Sequence, residues 1–200
     1  RQTLTDIMSK IAPQFAAILK SLNPELLLVQ GDTSTVAVCA LVAFYEKISI
    51  GHVEAGLRTY NLSSPFPEEG NRQIVSRLAT YNWAPTQAAA EQLIKENIHN
   101  VTVTGNTVVD ACQHFNYPIQ YGKKVLVTLH RRENFGEKLT KCAEQINTLA
   151  GTHPGLEFIF PMHPNPQVQQ IKSLLPQVNV IKPLPYAELI KLLSEARCVI

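Results

Sequence analysis

The sequence is short of charge and of long apolar runs. Charged residues make up 17% of its 200 residues, whereas about 25% is usual for a soluble domain. Eighteen basic residues against sixteen acidic ones give a net charge of +2, which leaves no electrostatic footprint for nucleic acid. No apolar run reaches the roughly 18 residues that cross a bilayer. We therefore expect neither a nucleic-acid nor a membrane partner.

Several signature motifs are also missing. The absence of Gly-x-Gly-x-x-Gly and of Gly-x-x-x-x-Gly-Lys-Ser/Thr argues against a dinucleotide redox cofactor and a P-loop, and neither His-Glu-x-x-His nor Gly-x-Ser-x-Gly occurs. The four cysteines form no Cys-x-x-Cys pair, which argues against zinc. We interpret three of them as core residues of a reduced, cytoplasmic protein. No cofactor and no metal are expected.

The apolar residues, 45% of the chain, instead predict alternating helices and strands. The predicted helices cover 4–22, 36–46, 68–79, 87–96, 107–114, 137–150, 167–175 and 186–196. The predicted strands cover 26–29, 48–53, 81–84, 101–104, 125–129, 156–160 and 178–181, with a last strand before residue 200. This order, without hairpin signals, predicts parallel sheets covered by helices on both faces. A polar break at 118–124 predicts two Rossmann-like domains, 1–117 and 125–200, with a cleft between them.

Titratable residues follow the predicted strands, where open parallel sheets bind their ligands. Asp32 and Glu54 follow the first two strands, His130 begins a charged cluster after residue 129, and His163 follows residue 160. Two adjacent acids, Glu68 and Glu69, stand at a predicted helix start. Such a set suits acid–base chemistry on a phosphate-bearing small molecule, but it does not name the reaction.

Each of these residues has a simpler interpretation. Asp32 would also serve as the N-cap of the next helix. Glu54, flanked by small and apolar residues, is either a desolvated acid–base group or half of a buried ion pair with Arg58 or Arg72. One of the two acids at the helix start would serve only as a cap or a solvated residue. His163, taken alone, reads as a hydrogen-bonded core histidine.

Five ordered segments resemble one family, the non-hydrolysing bacterial UDP-N-acetylglucosamine 2-epimerases. They are Gln30-Gly31-Asp32-Thr33-Ser34-Thr35, His52-Val53-Glu54-Ala55-Gly56-Leu57-Arg58-Thr59, Pro67-Glu68-Glu69-Gly70-Asn71-Arg72, Thr104-Gly105-Asn106-Thr107-Val108-Val109-Asp110 and Thr128-Leu129-His130-Arg131-Arg132-Glu133-Asn134. The resemblance runs across nearly the whole chain. It implies a GT-B-like α/β fold with two Rossmann-like domains, both incomplete here, the second of which binds UDP.

The resemblance further implies that the protein interconverts UDP-GlcNAc and UDP-ManNAc for cell-surface polysaccharides, without a cofactor. It assigns Asp32, Glu54 and Glu68 as acid–base carboxylates and places His130 at the UDP diphosphate. Arg131 and Glu133 resemble residues that contact a second UDP-GlcNAc acting as an allosteric activator. Leu184 and Leu189 fall where the family packs uridine. We also predict Arg72, Asn106 and His163 as substrate-binding residues and expect a homodimer.

The chain also departs from the family. An arginine-bearing Gly-Thr-Arg-Pro-Glu loop and a Ser-Gly-Gly segment that bind the nucleotide in the family are absent, so we expect a fragment that is inactive by itself. Two alternatives stay open: a hydrolysing relative that releases ManNAc and UDP, and a nucleotide-sugar-binding module without turnover.

Overall fold

A computed structural model of the chain describes residues 2–129 and 134–200. The chain forms two compact units, Arg1–Val109 and Asp110–Ile200, and each unit contains one four-stranded parallel sheet. The domain limits 1–117 and 125–200 stay a prediction.

The sheet of the first unit has the strand order β1-β2-β3-β4, so each strand pairs with the next along the chain. The strands are β1 (Leu26–Gln30), β2 (Ser49–Val53), β3 (Tyr81–Ala84) and β4 (Val101–Val103). The connecting helices are α1 (Leu4–Leu22), α2 (Ser34–Tyr45), α3 (Glu68–Leu78) and α4 (Gln87–Lys95), and α5 (Thr107–Phe115) runs on into the second unit.

Side-chain hydrogen bonds cap the first turns of α1, α2 and α4. Thr3 and Asp6 form a capping box at the start of α1, so each side chain accepts a hydrogen bond from the other residue's backbone N–H. Thr33 caps α2 by accepting from Val36 N at 3.3 Å, and Thr86 caps α4 in the same way. The predicted helix starts are therefore close to the observed ones.

The core of the first unit lies on one face of its sheet. Val29 and Ile50 of the strands pack there with Val75 of α3 and with residues of α1 and α2. On the opposite face of β1, Leu26 and Leu28 are 38% and 61% exposed. Within the described residues the cover of β1 is therefore one-sided, and the expectation of helices on both of its faces stays a prediction.

The second unit has the strand order β7-β6-β5-β8, so β5 lies between β6 and β8. Its elements are β5 (Lys124–Leu126), α6 (Glu137–Thr152), β6 (Glu157–Pro161), α7 (Pro166–Gln169), β7 (Asn179–Ile181), α8 (Tyr186–Glu195) and β8 (Ala196–Val199). Phe158 and Phe160 of β6 pack against Leu139 and Ile146 of α6 in its main core. Its helices and strands also alternate, as the sequence predicts.

Two expectations fail locally. The helix predicted over 167–175 is instead α7 followed by a 3-10 turn at Lys172–Leu174. The cysteines are not core residues, since Cys39 is half-buried and the other three are exposed.

In the part of the chain that the structure describes, no helix has both the length and the apolar character to cross a membrane.

Candidate active site

The candidate site of the first unit begins at the carboxyl ends of β1 and β2. The two strands are parallel neighbours, with Gln30 in register with Val53. The pairing continues one step further, because Gly31 N donates to Val53 O at 3.1 Å. Asp32 and Glu54 therefore leave adjacent strands at the same edge of the sheet, where parallel folds bind ligands.

Asp32 is held by helix α3. Its carboxylate forms an ion pair with the Arg72 guanidinium, and its backbone carbonyl accepts from Asn71 Nδ2 at 2.8 Å. Thr33, not Asp32, caps α2. The N-cap interpretation of Asp32 is therefore wrong, and its carboxylate is oriented by α3 instead.

Glu54 occupies an unusual backbone position at the end of β2. Its φ of +65° lies in the left-handed region, which non-glycine residues rarely adopt and which is often found at functional sites. Its side chain is half-buried, and Oε2 lies 3.6 Å from the position that a Cβ would take on Gly31. The Glu54 carboxylate is thus close to the turn that carries Asp32.

The ion-pair alternative for Glu54 is also wrong within residues 2–129 and 134–200. Arg58 binds Glu96 with two hydrogen bonds, of 2.8 and 2.9 Å, and its side chain is fully buried. Arg72 pairs with Asp32. The bidentate bond to Arg58 is the main reason that the pKa of Glu96 lies below its ordinary value. Arg58 therefore stabilises the fold between β2 and α4 and does not hold Glu54.

Glu68 and Glu69 begin α3 but have different environments. Glu68 is half-buried and lies one turn before Arg72, so the two side chains share a face of the helix. The ion pair between Arg72 and Asp32 thus brings Asp32 to the face of α3 that carries Glu68. Asp32 and Glu54 thus follow neighbouring strands, and Asp32 contacts the helix that begins with Glu68.

Glu69 is fully buried and organises the loop before α3. Its oxygens accept from Thr59 N at 2.9 Å, Tyr60 N at 3.1 Å and Gln73 Nε2 at 2.8 Å. Burial opposes ionisation, but these hydrogen bonds outweigh it and hold the pKa of Glu69 below its ordinary value. The sequence offered no signal that distinguishes this structural carboxylate from its neighbour.

Gly56 lets the chain after Glu54 pass close to α4. Its φ is +90°, and a Cβ there would overlap the carbonyl of Ala89. Only glycine fits both the backbone conformation and the space. The turn that follows Glu54 is therefore fixed against α4.

His52, two residues before Glu54, is the residue of this edge that the sequence did not single out. It is fully buried, and its Nε2 lies 2.9 Å from Gly31 O. Burial is the main reason that the pKa of His52 lies below its ordinary value.

The second unit contains a separate, mostly apolar cavity of about 210 Å3 at the carboxyl ends of its strands. Leu184 and Leu189 line it, as does His163, together with the segment 126–129 that includes and follows the end of β5. His163 is exposed, and its Nδ1 accepts from Asn165 N at 3.1 Å, so it is not a core histidine. Both leucines pack against Leu126, Ile159 and Leu192.

Of the remaining predicted site residues, the structure describes Asn106. Asn106 Oδ1 accepts from Val108 N at 3.0 Å at the start of α5, which is a local turn bond. His130, Arg131 and Glu133 lie outside the described residues. Among those described, no group of three His, Cys, Asp or Glu side chains is placed to hold a metal ion.

Comparison with known proteins adds the family. The family model described as UDP-N-acetylglucosamine 2-epimerase matches residues 1–200. The UDP-N-acetylglucosamine 2-epimerase of Campylobacter jejuni is 42% identical over 226 residues, covering 100% of this chain and 59% of the relative. That of Neisseria meningitidis serogroup A is 37% identical over 222 residues, covering 100% of this chain and 60% of the relative. The chain therefore spans about 60% of the length of these relatives.

Solved structures agree. The crystal structure of UDP-GlcNAc 2-epimerase from Neisseria meningitidis bound to UDP-GlcNAc matches with a TM-score of 0.91 and 38% identity, over 99% of this chain and 60% of that one. The S. aureus MnaA–UDP co-structure matches with a TM-score of 0.92 and 36% identity, over 100% of this chain and 59% of that one. The expected GT-B-like α/β fold is thereby confirmed. By motif order, fold and these matches, the chain belongs to the UDP-N-acetylglucosamine 2-epimerase family.

Proposed function

We propose that the protein interconverts UDP-GlcNAc and UDP-ManNAc by eliminating UDP and adding it back. The observation that carries this proposal is the edge at which Asp32 and Glu54 leave adjacent strands while Arg72 links Asp32 to the helix of Glu68. Family membership supports the substrate, as do neighbouring structures that are bound to UDP-GlcNAc or UDP.

The chemistry calls for several acid–base groups. The C2 proton of the sugar is not beside a carbonyl, so its direct removal is too slow. Cleavage of the C1–O bond builds positive charge at C1 and acidifies the C2 proton. A base takes that proton, the C1=C2 double bond of 2-acetamidoglucal forms, and the electron pair of the broken bond leaves with UDP.

The return step places a proton on the opposite face of C2 while UDP adds back to C1. Acid–base groups are therefore needed on both faces of the sugar ring. We assign this work to Asp32, Glu54 and Glu68 and leave open which carboxylate serves which face. Arg72 orients Asp32 through their ion pair and so presents it to the sugar.

We assign the uracil ring to the cavity of the second unit. An apolar cavity with a few polar groups at strand ends suits a flat heterocycle, since ligand sites combine apolar walls with few polar contacts. Leu184 and Leu189 would pack against the ring, and His163 lies at the rim of polar groups. The predicted roles of His130 at the diphosphate and of Arg131 and Glu133 at a second UDP-GlcNAc are part of this proposal.

The test uses the full-length protein with UDP-GlcNAc in heavy water and proton NMR of the products. We expect UDP-ManNAc that carries deuterium at C2. Free ManNAc and UDP would instead identify the hydrolysing reaction. Binding of UDP-GlcNAc without deuterium exchange at C2 would overturn both enzymatic readings and leave a nucleotide-sugar-binding module.

A further inference from the structure

His52 lies directly beneath the edge that carries the predicted carboxylates. It is on β2, two residues before Glu54, and its ring reaches the turn after the neighbouring strand β1, where Nε2 is 2.9 Å from Gly31 O. Gly31 is the residue before Asp32, and its φ of +77° lets the chain turn out of β1. The His52 ring thus contacts the turn that leads to Asp32, while its own strand, β2, leads to Glu54.

The contact defines the tautomer of the ring. A carbonyl oxygen only accepts hydrogen bonds, so Nε2 must carry the proton and donate it to Gly31 O. In the neutral ring, Nδ1 is then an acceptor. Burial disfavours the charged form and lowers the pKa of His52, which keeps the ring in this neutral state.

The other side of the ring lacks an equivalent bond. Within the described parts of the chain, Nδ1 is buried and has no hydrogen-bond partner. Asn82, the register partner of His52 on β3, also has a buried oxygen, Oδ1, without such a partner. The Nε2 bond to Gly31 is therefore the hydrogen bond that fixes the ring.

A histidine buried in this way lowers the stability of the fold, which is unexpected for a residue without a further role. A buried polar atom without a hydrogen bond lowers stability, and a leucine of similar volume would avoid that loss. The loss is understandable if the Nε2 bond is needed to hold the turn between Gly31 and Asp32 in one place. Small displacements of a reacting group have large effects on rate.

We propose that His52 is a positioning residue for the acid–base edge, since its hydrogen bond to Gly31 O fixes the turn that presents Asp32 beside Glu54. The role rests on the proposed function, because the reaction gives the position of Asp32 its importance. His52 does not touch the substrate in this role and exchanges no proton with it.

Two substitutions in the full-length protein separate hydrogen bonding from packing. His52→Gln keeps an amide N–H donor at about the reach of Nε2, whereas His52→Leu keeps the volume and removes the donor. We expect H52L to lower kcat by ~10-fold or more with little change in KM, because a misplaced carboxylate slows the chemical step without weakening binding. H52Q should restore most of kcat.

Asn82→Leu is the matched control. Asn82 is as buried as His52 and lies beside it in the sheet, and its side-chain Nδ2 donates to the backbone carbonyl of Ser76 at 3.3 Å. N82L should change the melting temperature but leave kcat unchanged. Equal kcat losses in H52L and N82L, or in H52L and H52Q, would overturn the positioning role, as would normal kcat in H52L.

A measurement on the wild-type protein is independent of turnover. Nitrogen-15 NMR of the imidazole should show the proton on Nε2 and none on Nδ1 at neutral pH. A proton on Nδ1 would overturn the hydrogen bond to Gly31 and the inference with it. If the wild-type protein shows the expected tautomer but no deuterium exchange at C2, the proposed function fails instead.

Discussion

The two acids at the start of α3 show how far residue type alone falls short. Glu68 and Glu69 are neighbours in the sequence, and the positive end of the helix dipole at the start of α3 favours an acid at either position. The structure buries Glu69 under the loop at 59–60 and leaves Glu68 half-buried on the face of Arg72. The sequence could predict that one of the pair has a structural role, but not which one, because the loop that supplies the donors has no periodic pattern.

Exchanging each acid for its amide should separate these roles. Glu69→Gln replaces one oxygen by an NH2 group and faces it toward a backbone or side-chain donor, so we expect a loss of about 2 kcal/mol in unfolding free energy. Glu68→Gln should leave stability nearly unchanged and lower turnover. Urea unfolding and product NMR check both variants. Equal stability of the two variants would contradict the distinction.

Glu54 allows the most direct test of a catalytic carboxylate. Glu54→Gln keeps the volume and removes the base, so we expect the rate to fall by at least ~10²-fold, the typical contribution of a positioned acid–base group. Deuterium exchange at C2 should fall in parallel. Glu91→Gln, an exposed position on α4, is the control. Near-normal turnover of E54Q would show that Glu54 is structural.

The buried titratable groups predict how stability depends on pH. The pKa of His52 is lowered from 6.5, mainly by burial, with Arg58 and Arg72 lowering it further and the Gly31 bond and Asp32 opposing them. Below 6.5 the unfolded chain therefore binds a proton that the folded chain does not, so the unfolding free energy falls as the pH drops below 6.5.

A second loss should follow at lower pH. The pKa values of Glu69 and Glu96 are lowered from 4.5, so their stabilisation is fully present above 4.5 and is lost as the pH falls through their folded values. Urea unfolding at several pH values measures both losses. H52Q should lack the first loss and keep the second, and an unchanged curve in H52Q would contradict the assignment to His52.

At the scale of elements, the sequence predicts which helices and strands exist better than what covers them. Alternating apolar segments predict most elements of both units. The helix predicted over 167–175 fails because the segment forms one short helix and a 3-10 turn, and apolar spacing alone does not reveal such a break. The apolar run of β1 does not show which of its faces the described residues cover, because cover depends on elements distant in the sequence.

The contact between the turn after β2 and α4 can be tested with two glycines. Gly56→Ala combines a left-handed φ with overlap at Ala89 O, so we expect a loss of at least ~2 kcal/mol. Gly105 has a similar φ of +84° but nothing within 4 Å of an added Cβ, so Gly105→Ala should cost only ~1 kcal/mol. Chemical unfolding of both variants measures the difference, and equal losses would contradict the overlap.

At the scale of the whole molecule, the two units differ in what they offer a ligand. The first has charged groups at its strand ends, and the second has an apolar cavity at the corresponding ends. The order of motifs predicted the family, which the comparisons confirm, while the roles of individual residues at these ends stay predictions.

This division predicts that binding and chemistry can be changed separately. Leu189→Ala shortens a wall of the cavity, so we expect KM for UDP-GlcNAc to rise while kcat stays the same, the pattern of lost uniform binding. E54Q should show the opposite pattern. Steady-state kinetics of the full-length variants measure both constants. A lower kcat in L189A with unchanged KM would contradict the assignment of the cavity to the uracil ring.

The pairing of the buried Arg58 side chain with Glu96 has a consequence for the comparison of related sequences. In the segment His52-Val53-Glu54-Ala55-Gly56-Leu57-Arg58, Arg58 bonds to Glu96 at the end of α4, and Gly56 allows the chain to pass close to Ala89 of α4. His52 links β2 to the turn after β1. Most of this signature therefore encodes architecture. A paralogue that had lost its reaction through a change at Glu54 alone would still match nearly all of this segment. A match to the segment therefore indicates the fold, whereas the identity of the residue at position 54 indicates whether the reaction is retained.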